Sequence, residues 1–210
     1  MRRKNRFKDI DNRKSQRIPV RPLIRIVCEG ATEGYYFDAI RMELKASTIT
    51  IDIKPAPWGC DPKSLLKFCK QEKGRDEYEK VFCVFDSDNR TYISNVIDAA
   101  LKAKINVIFS NPCFEFWYIL HFEYTTRSFS VDEAESELKN YLPWYKKEKK
   151  ELKQVYSQIK SSQDKATSRA KKVIKYHEDL TPASIGNIII DRPVTNAHEL
   201  VDVLLSLRPR

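Results

Sequence analysis

Three short apolar runs constrain this chain more than any other feature: "LIRIVC" at 23–28, "KVFCVF" at 80–85 and "INVIFS" at 105–110. Each is rich in β-branched or aromatic residues, too short for a core helix and bounded by polar or turn-forming residues. Buried strands of a parallel sheet look like this. A fourth segment, "TITIDIK" at 48–54, alternates as a half-buried strand should. The stretches between them have helical character. Tyr35, Phe37, Ala39, Ile40 and Leu44 share helical spacing, with Thr32 the expected N-cap. Pro62 opens a second helix to about Lys70, turning Leu65, Leu66 and Phe68 inward. A third runs from about Ile93 to Ala103. The alternation predicts an α/β fold with a mostly parallel sheet flanked by helices.

Beyond Asn111 the pattern changes. "CFEFWYILHF" (113–122) is too apolar for a surface helix and is expected to pack against the sheet edge. "VDEAESELKNYL" predicts an acidic amphipathic helix. "KKEKKELKQVYSQIK" and "SRAKKVIKYHEDL" predict two basic helices parted at Ser161–Ser162. "GNIIIDRPVTNAHELVDVLLSL" predicts a strand-like run, a loop and a closing helix. Three regions follow: a basic flexible arm over 1–21, an α/β core over 22–125, and a C-terminal helical extension with closing strand and helix over 126–210.

Charge is unevenly spread. Of a net charge of +9, residues 1–25 and 146–175 contribute +8 each, which leaves the remainder at −7. Basic segments of this kind suit phosphate backbones, although a Lys-rich run also serves as an ordinary solvated helix face. No apolar run approaches the ~20 residues of a bilayer-spanning helix. The N-terminal "MRRKNRFKDIDNRKSQR" has no apolar segment after its charges, so no secretory signal is expected. Five cysteines without CxxC pairing read as reduced thiols of a cytoplasmic protein, with no zinc site.

The chemistry is concentrated where apolar runs stop. "VFCVFDSDNR" ends a strand on Asp86 and Asp88, two carboxylates that repel each other unless a cation lies between them. Ligands of open parallel sheets gather beyond the carboxyl ends of the strands, and Glu29 ends the first strand. Residues i and i+2 of an extended chain face one side, so Asp86 and Asp88 are expected to point at one site with Glu29. Hard oxygens of this kind suit Mg²⁺ or Mn²⁺. A turn rich in Asp is the plainer explanation. Haloacid-dehalogenase-type phosphatases also use Asp-x-Asp, on the first strand, and Arg90 departs from their pattern. Glycosyltransferases use it without a Glu-Gly on the first strand.

Strand–Glu29–Gly30 followed by strand–Asp86-x-Asp88 resembles the Toprim domain of topoisomerases, primases and OLD-family nucleases. "IVCEGATEGYYFDAI", "GCDPKSLL", "VFCVFDSDN", "FSNPCFEFWYILHF" and "PVTNAHELV", in this order, resemble RloB (AbiLii-like) proteins, encoded beside ATPases in abortive-infection loci. The resemblance implies a Toprim-like, Mg²⁺- or Mn²⁺-dependent nuclease in antiphage defence. Glu29 would be general acid/base, and Glu29, Asp86 and Asp88 the metal set. Glu115, in an apolar setting, must bind metal, pair with a cation or sit at the cleft mouth. Asn111 is expected near the same cleft. His121 is a further catalytic candidate, or else a packed core histidine. Trp117 and Tyr118 read as core. Asp61 and Lys63 are weaker substrate-positioning candidates. Lys146, Lys147, Lys149, Lys150, Lys171 and Lys172 are expected to follow a nucleic-acid backbone, DNA or RNA. A non-cleaving nucleic-acid-binding subunit of an ATPase-partnered complex and a phosphotransferase on small phosphate esters are the alternatives.

Overall fold

The computed structural model describes residues 24–45, 61–74, 78–88, 90–177 and 192–208, together with the backbone of 51–55. The expected arm over 1–21 and the strand-like run at 186–190 lie outside these residues. The elements alternate as the apolar runs require: β1 (Ile24–Cys28), α1 (Ala31–Glu43), β2 (Ile51–Pro55), α2 (Pro62–Lys73), β3 (Lys80–Asp86), α3 (Ile93–Lys102) and β4 (Asn106–Asn111). Then follow α4 (Glu115–Ile119), α5 (Val131–Tyr141), α6 (Lys149–Ile159), a 3₁₀ turn (Lys160–Ser162), α7 (Gln163–Tyr176), β5 (Val194–Thr195) and α8 (Ala197–Ser206).

The sheet order is β2-β1-β3-β4-β5. β1, β2, β3 and β4 are parallel, and β5 closes the β4 edge antiparallel. Because β1 and β3 are neighbours, their carboxyl ends lie side by side. Alternation along the strands sorts the core into two layers. Val27, Val81, Cys83, Phe85, Val107 and Phe109 pack with Leu65 and Cys69 of α2 and Val96 and Ile97 of α3. Ile24, Ile26, Phe82, Val84 and Ile108 face the other way, into a cluster with Tyr36 and Phe37 of α1, Phe116, Trp117, Tyr118 and Ile119 of α4, and Leu138, Val155, Val173 and Leu204 from α5 to α8. One apolar cluster therefore runs through both the sheet and the C-terminal helices.

Local signals set the boundaries. Asp61 caps α2 by accepting from the Lys63 and Ser64 N–H groups, and Pro62 occupies the first turn. Ser130 and Glu133 form a capping box at α5. The α1 cap is Gly30, two residues before the expected Thr32, for a reason that belongs to the site. The four described cysteines, Cys28, Cys69, Cys83 and Cys113, are buried and free. No described helix is long and apolar enough to cross a membrane.

Candidate active site

β1 ends at Cys28, paired with Val84, and the next residue, Glu29, donates its N–H to the Val84 carbonyl at 2.9 Å. Its side chain reaches across to β3, where Oε2 accepts the Asp86 N–H at 3.4 Å. Asp86, the last residue of β3, continues the Phe82–Val84 face, so its carboxylate turns toward the segment that enters α4. There Oδ2 accepts the Phe114 N–H at 3.1 Å.

Asp88 arrives differently. The strand has ended, and Asp88 has φ 43°, in the left-handed region that a short polar side chain tolerates. The extended alternation that would aim Asp86 and Asp88 together does not reach it. Its N–H donates to the Pro112 carbonyl at 3.2 Å, and the Arg90 N–H to the Ser87 carbonyl at 2.8 Å. This turn brings the Arg90 guanidinium back over the strand ends. Nη1 lies 2.8 Å from Glu29 Oε1, and Nη2 lies 2.9 Å from Asp88 Oδ2. Arg90, which in the sequence only weakens a phosphatase reading, is the residue that ties two of the carboxylates together.

Glu33 is the second residue that the sequence reading leaves out. It is the third residue of α1, buried, and its Oε1 accepts the Gly30 N–H at 2.7 Å. A Cβ on residue 30 would stand 3.0 Å from Glu33 Oε2. Gly30 is thus the cap that lets the Glu33 carboxylate fold back against the backbone. The Glu-Gly-x-x-Glu spacing carried that signal, because position N3 is where a reciprocal cap belongs. Burial pushes the Glu33 carboxyl up to about 7, against its backbone hydrogen bonds and with the Glu115 and Glu29 charges adding to the rise. Burial also raises Asp86 well above the usual range, reinforced by Glu33, Glu115 and Asp88. Glu29 is raised by burial despite the Arg90 cation.

Glu115, 1% exposed, takes the cation-paired course among those its apolar setting allows. Its Oε1 accepts the Tyr145 hydroxyl at 2.7 Å and lies 3.0 Å from Lys147 Nζ. Burial works against its charge, but the Lys147 ammonium, with Tyr145 and Cys113, holds the carboxyl below its ordinary value. Lys147 is therefore committed to a carboxylate, with Glu135 a further 3.9 Å neighbour. Lys146, Lys149 and Lys150 beside it are exposed. Lys171 and Lys172 are exposed on α7, with Lys171 3.4 Å from Asp202 of α8.

The remaining candidates are placed elsewhere. His121 is buried, its Nδ1–H donates to the Trp117 carbonyl at 2.9 Å, and its Nε2 lies 3.4 Å from the Gln163 side chain. Burial takes its pKa down to about 4, so the ring is neutral at pH 7. Its partners belong to the aromatic knot of Tyr36 and Trp117 and include no site carboxylate. Asn111 spends its amide on the Ser87 hydroxyl and the Arg192 carbonyl. Trp117 and Tyr118 are fully buried. Asp61 caps α2, and the Lys63 ammonium lies 4.3 Å from the centroid of the Tyr92 ring.

Glu29, Glu33, Asp86 and Asp88 offer the hard oxygens that Mg²⁺ or Mn²⁺ favours, so the donors fit such a cation in kind. Among the described residues no three of them are grouped as a ready cation nest, and between Glu29 and Asp88 the position is held by Arg90.

No curated protein and no solved structure matches this chain. The family model of the RloB-like proteins matches residues 24–204, a span that includes every residue of this edge, and the chain belongs to that family.

Proposed function

We propose that this protein is a metal-dependent nuclease of the Toprim type that hydrolyses nucleic-acid phosphodiesters. One observation carries the reading: Glu29 from the end of β1 and Asp86 and Asp88 from the end of β3 share one sheet edge, with hard donors from two parallel neighbours. Membership of the RloB-like family, which is linked with abortive-infection-type proteins, supports antiphage defence as the setting.

A Mg²⁺ or Mn²⁺ ion held by Glu29, Asp86 and Asp88 would supply an activated water near neutral pH and offset charge on the phosphate. The chain's own groups do the rest. Glu29, raised by burial, keeps the proton affinity that a general acid/base needs. Glu33, titrating at about 7 behind it, provides a second carboxyl for holding or passing a proton. The Phe114 N–H fixes the Asp86 carboxylate. Arg90 presents a planar fork of donors that matches a phosphate as well as a carboxylate. Lys147 keeps Glu115 ionised at the rear of the site. Exposed Lys146, Lys149 and Lys150 supply phosphate contacts along the strand being cut.

A second reading, a non-cleaving nucleic-acid-binding subunit beside a partner ATPase, is favoured by the Arg90 bridge, which already pairs a cation with Glu29 and Asp88. Incubating the protein with a mixed panel of DNA and RNA, in Mn²⁺ and in EDTA, separates the two. The nuclease reading expects Mn²⁺-dependent products. Binding with no cleavage in either condition supports the second reading.

A further inference from the structure

A guanidinium at 2.8 Å from Glu29 and 2.9 Å from Asp88 occupies the position where these two carboxylates would share an ion. A divalent ion on these carboxylates would stand beside the guanidinium, and the repulsion between the two cations sets them in competition for the same acids. The guanidinium meets carboxylates from two separate elements, one after β1 and one in the turn after β3. The bridge is also partly open: the side chains of Arg90, Glu29 and Asp88 are 27%, 15% and 40% exposed. An arginine so placed can leave without unpacking the core.

We propose that Arg90 is an internal counter-cation that a divalent ion must displace from Glu29 and Asp88, so that Arg90 sets the metal affinity of the site. This rests on the metal-dependent reading above, and it adds a competitor that this reading does not contain. Without metal, Arg90 relieves the repulsion between the two acids. With metal, it is released toward solvent or a substrate phosphate.

Calorimetric titration of wild type, Arg90→Gln, Arg90→Lys and Lys63→Gln with Mn²⁺ tests this without any activity measurement. Arg90→Gln should bind Mn²⁺ roughly tenfold or more tightly, since a charge-assisted bridge no longer has to be broken. Arg90→Lys, which keeps the charge and loses the fork, should fall between the two. Lys63→Gln removes a positive charge from the same edge of the sheet without touching the bridge, and should change affinity by less than about twofold. A melting curve in EDTA confirms that each variant is folded. Equal or weaker Mn²⁺ binding by Arg90→Gln overturns the proposal, as does equal tightening by Lys63→Gln. If wild type and Arg90→Gln both fail to bind Mn²⁺ or Mg²⁺, the metal reading falls and takes this proposal with it.

Discussion

Two charged residues mark β1, Arg25 near its start and Glu29 just past its end, and their surroundings differ. Arg25, on the α2 side of the sheet, pairs with Glu72 at 2.9 Å, both side chains 2% exposed, and its Nη1 donates to the Tyr78 hydroxyl at 3.3 Å. Glu29, four residues later, pairs with Arg90 at nearly the same distance but on an edge that solvent reaches. The chemistry of the two pairs is the same and their burial is not. A sealed pair has no competitor, because neither water nor an ion can replace a partner there, so its role is to hold α2 on the sheet. An open pair can be exchanged. Charge pairing alone therefore does not mark a functional site in this protein. Access to the pair, together with further carboxylates behind it, is what makes this edge the candidate site.

The contrast can be broken from either side. The largest effect belongs to the open edge. On the nuclease reading, Asp86→Asn should lower cleavage by roughly a thousandfold or more, because a charge proposed to hold the metal is lost. It should leave the melting temperature in EDTA unchanged or higher, since the amide still accepts from Phe114 and repulsion with Glu33 and Glu115 is relieved. A variant that cleaves at the wild-type rate rejects the role of Asp86.

At the sealed pair the sign reverses. Arg25→Met should cost about 3–5 kcal/mol of stability in urea unfolding by leaving Glu72 charged and buried, and Arg25→Met/Glu72→Leu should recover most of it. Any Arg25→Met protein that folds should still bind Mn²⁺ as wild type does. A loss below about 1 kcal/mol would show that the pair is not sealed in solution.

Glu33 gives a smaller, pH-dependent effect. Its folded value of about 7 lies above the ordinary value of 4.5. Between these the folded carboxyl keeps a proton that the unfolded chain has released, so stability falls as pH rises through the window and levels off above it. Glu33→Gln keeps the cap on Gly30 and removes that titration. In EDTA its melting temperature relative to wild type should be higher at pH 8 than at pH 5. A difference that does not change with pH would place the Glu33 carboxyl in its ordinary range.

The smallest effect concerns the exposed lysines beside Lys147. On an oligonucleotide, Lys146→Gln/Lys149→Gln/Lys150→Gln should flatten the log–log salt dependence by about one to three units, near −0.9 per duplex contact or −0.7 per single-strand contact. Lys147 is left out because it belongs to Glu115. Identical slopes would make the three a solvated helix face.

The elements themselves were legible in the sequence because β-branched runs and Pro62 or Ser130 boundary signals are local. Glu29 and Asp86 at one edge were legible as well, since both end strands and the parallel order makes those strands neighbours. What escaped the sequence has two sources: local geometry where an element starts or ends, and contacts between distant segments. Thr32 looked the better cap by propensity, yet Gly30 takes the position because Glu33 folds onto it and a side chain there would be in the way. Two-residue alternation was carried one step past the end of β3, where Asp88 turns left-handed. In the sequence Lys147 stands among basic neighbours, whereas its partner Glu115 lies 32 residues earlier. His121 suits catalysis by residue type, but its ring is held in the aromatic knot by the Trp117 carbonyl and faces Gln163 of α7.

The Lys147–Glu115 contact bears on how this protein can be divided. The ammonium that neutralises Glu115 comes from the segment between α5 and α6, while Glu115 itself opens α4, directly after the residues that hold Asp86. A fragment cut near residue 125, at the end of the strand-and-helix alternation, would keep every acid of the edge and lose the one cation seated on the most buried of them. The helical third of the chain is therefore part of the site's own charge balance. A domain graft or minimal fragment built on the first 125 residues would have to replace Glu115 before it could stand alone.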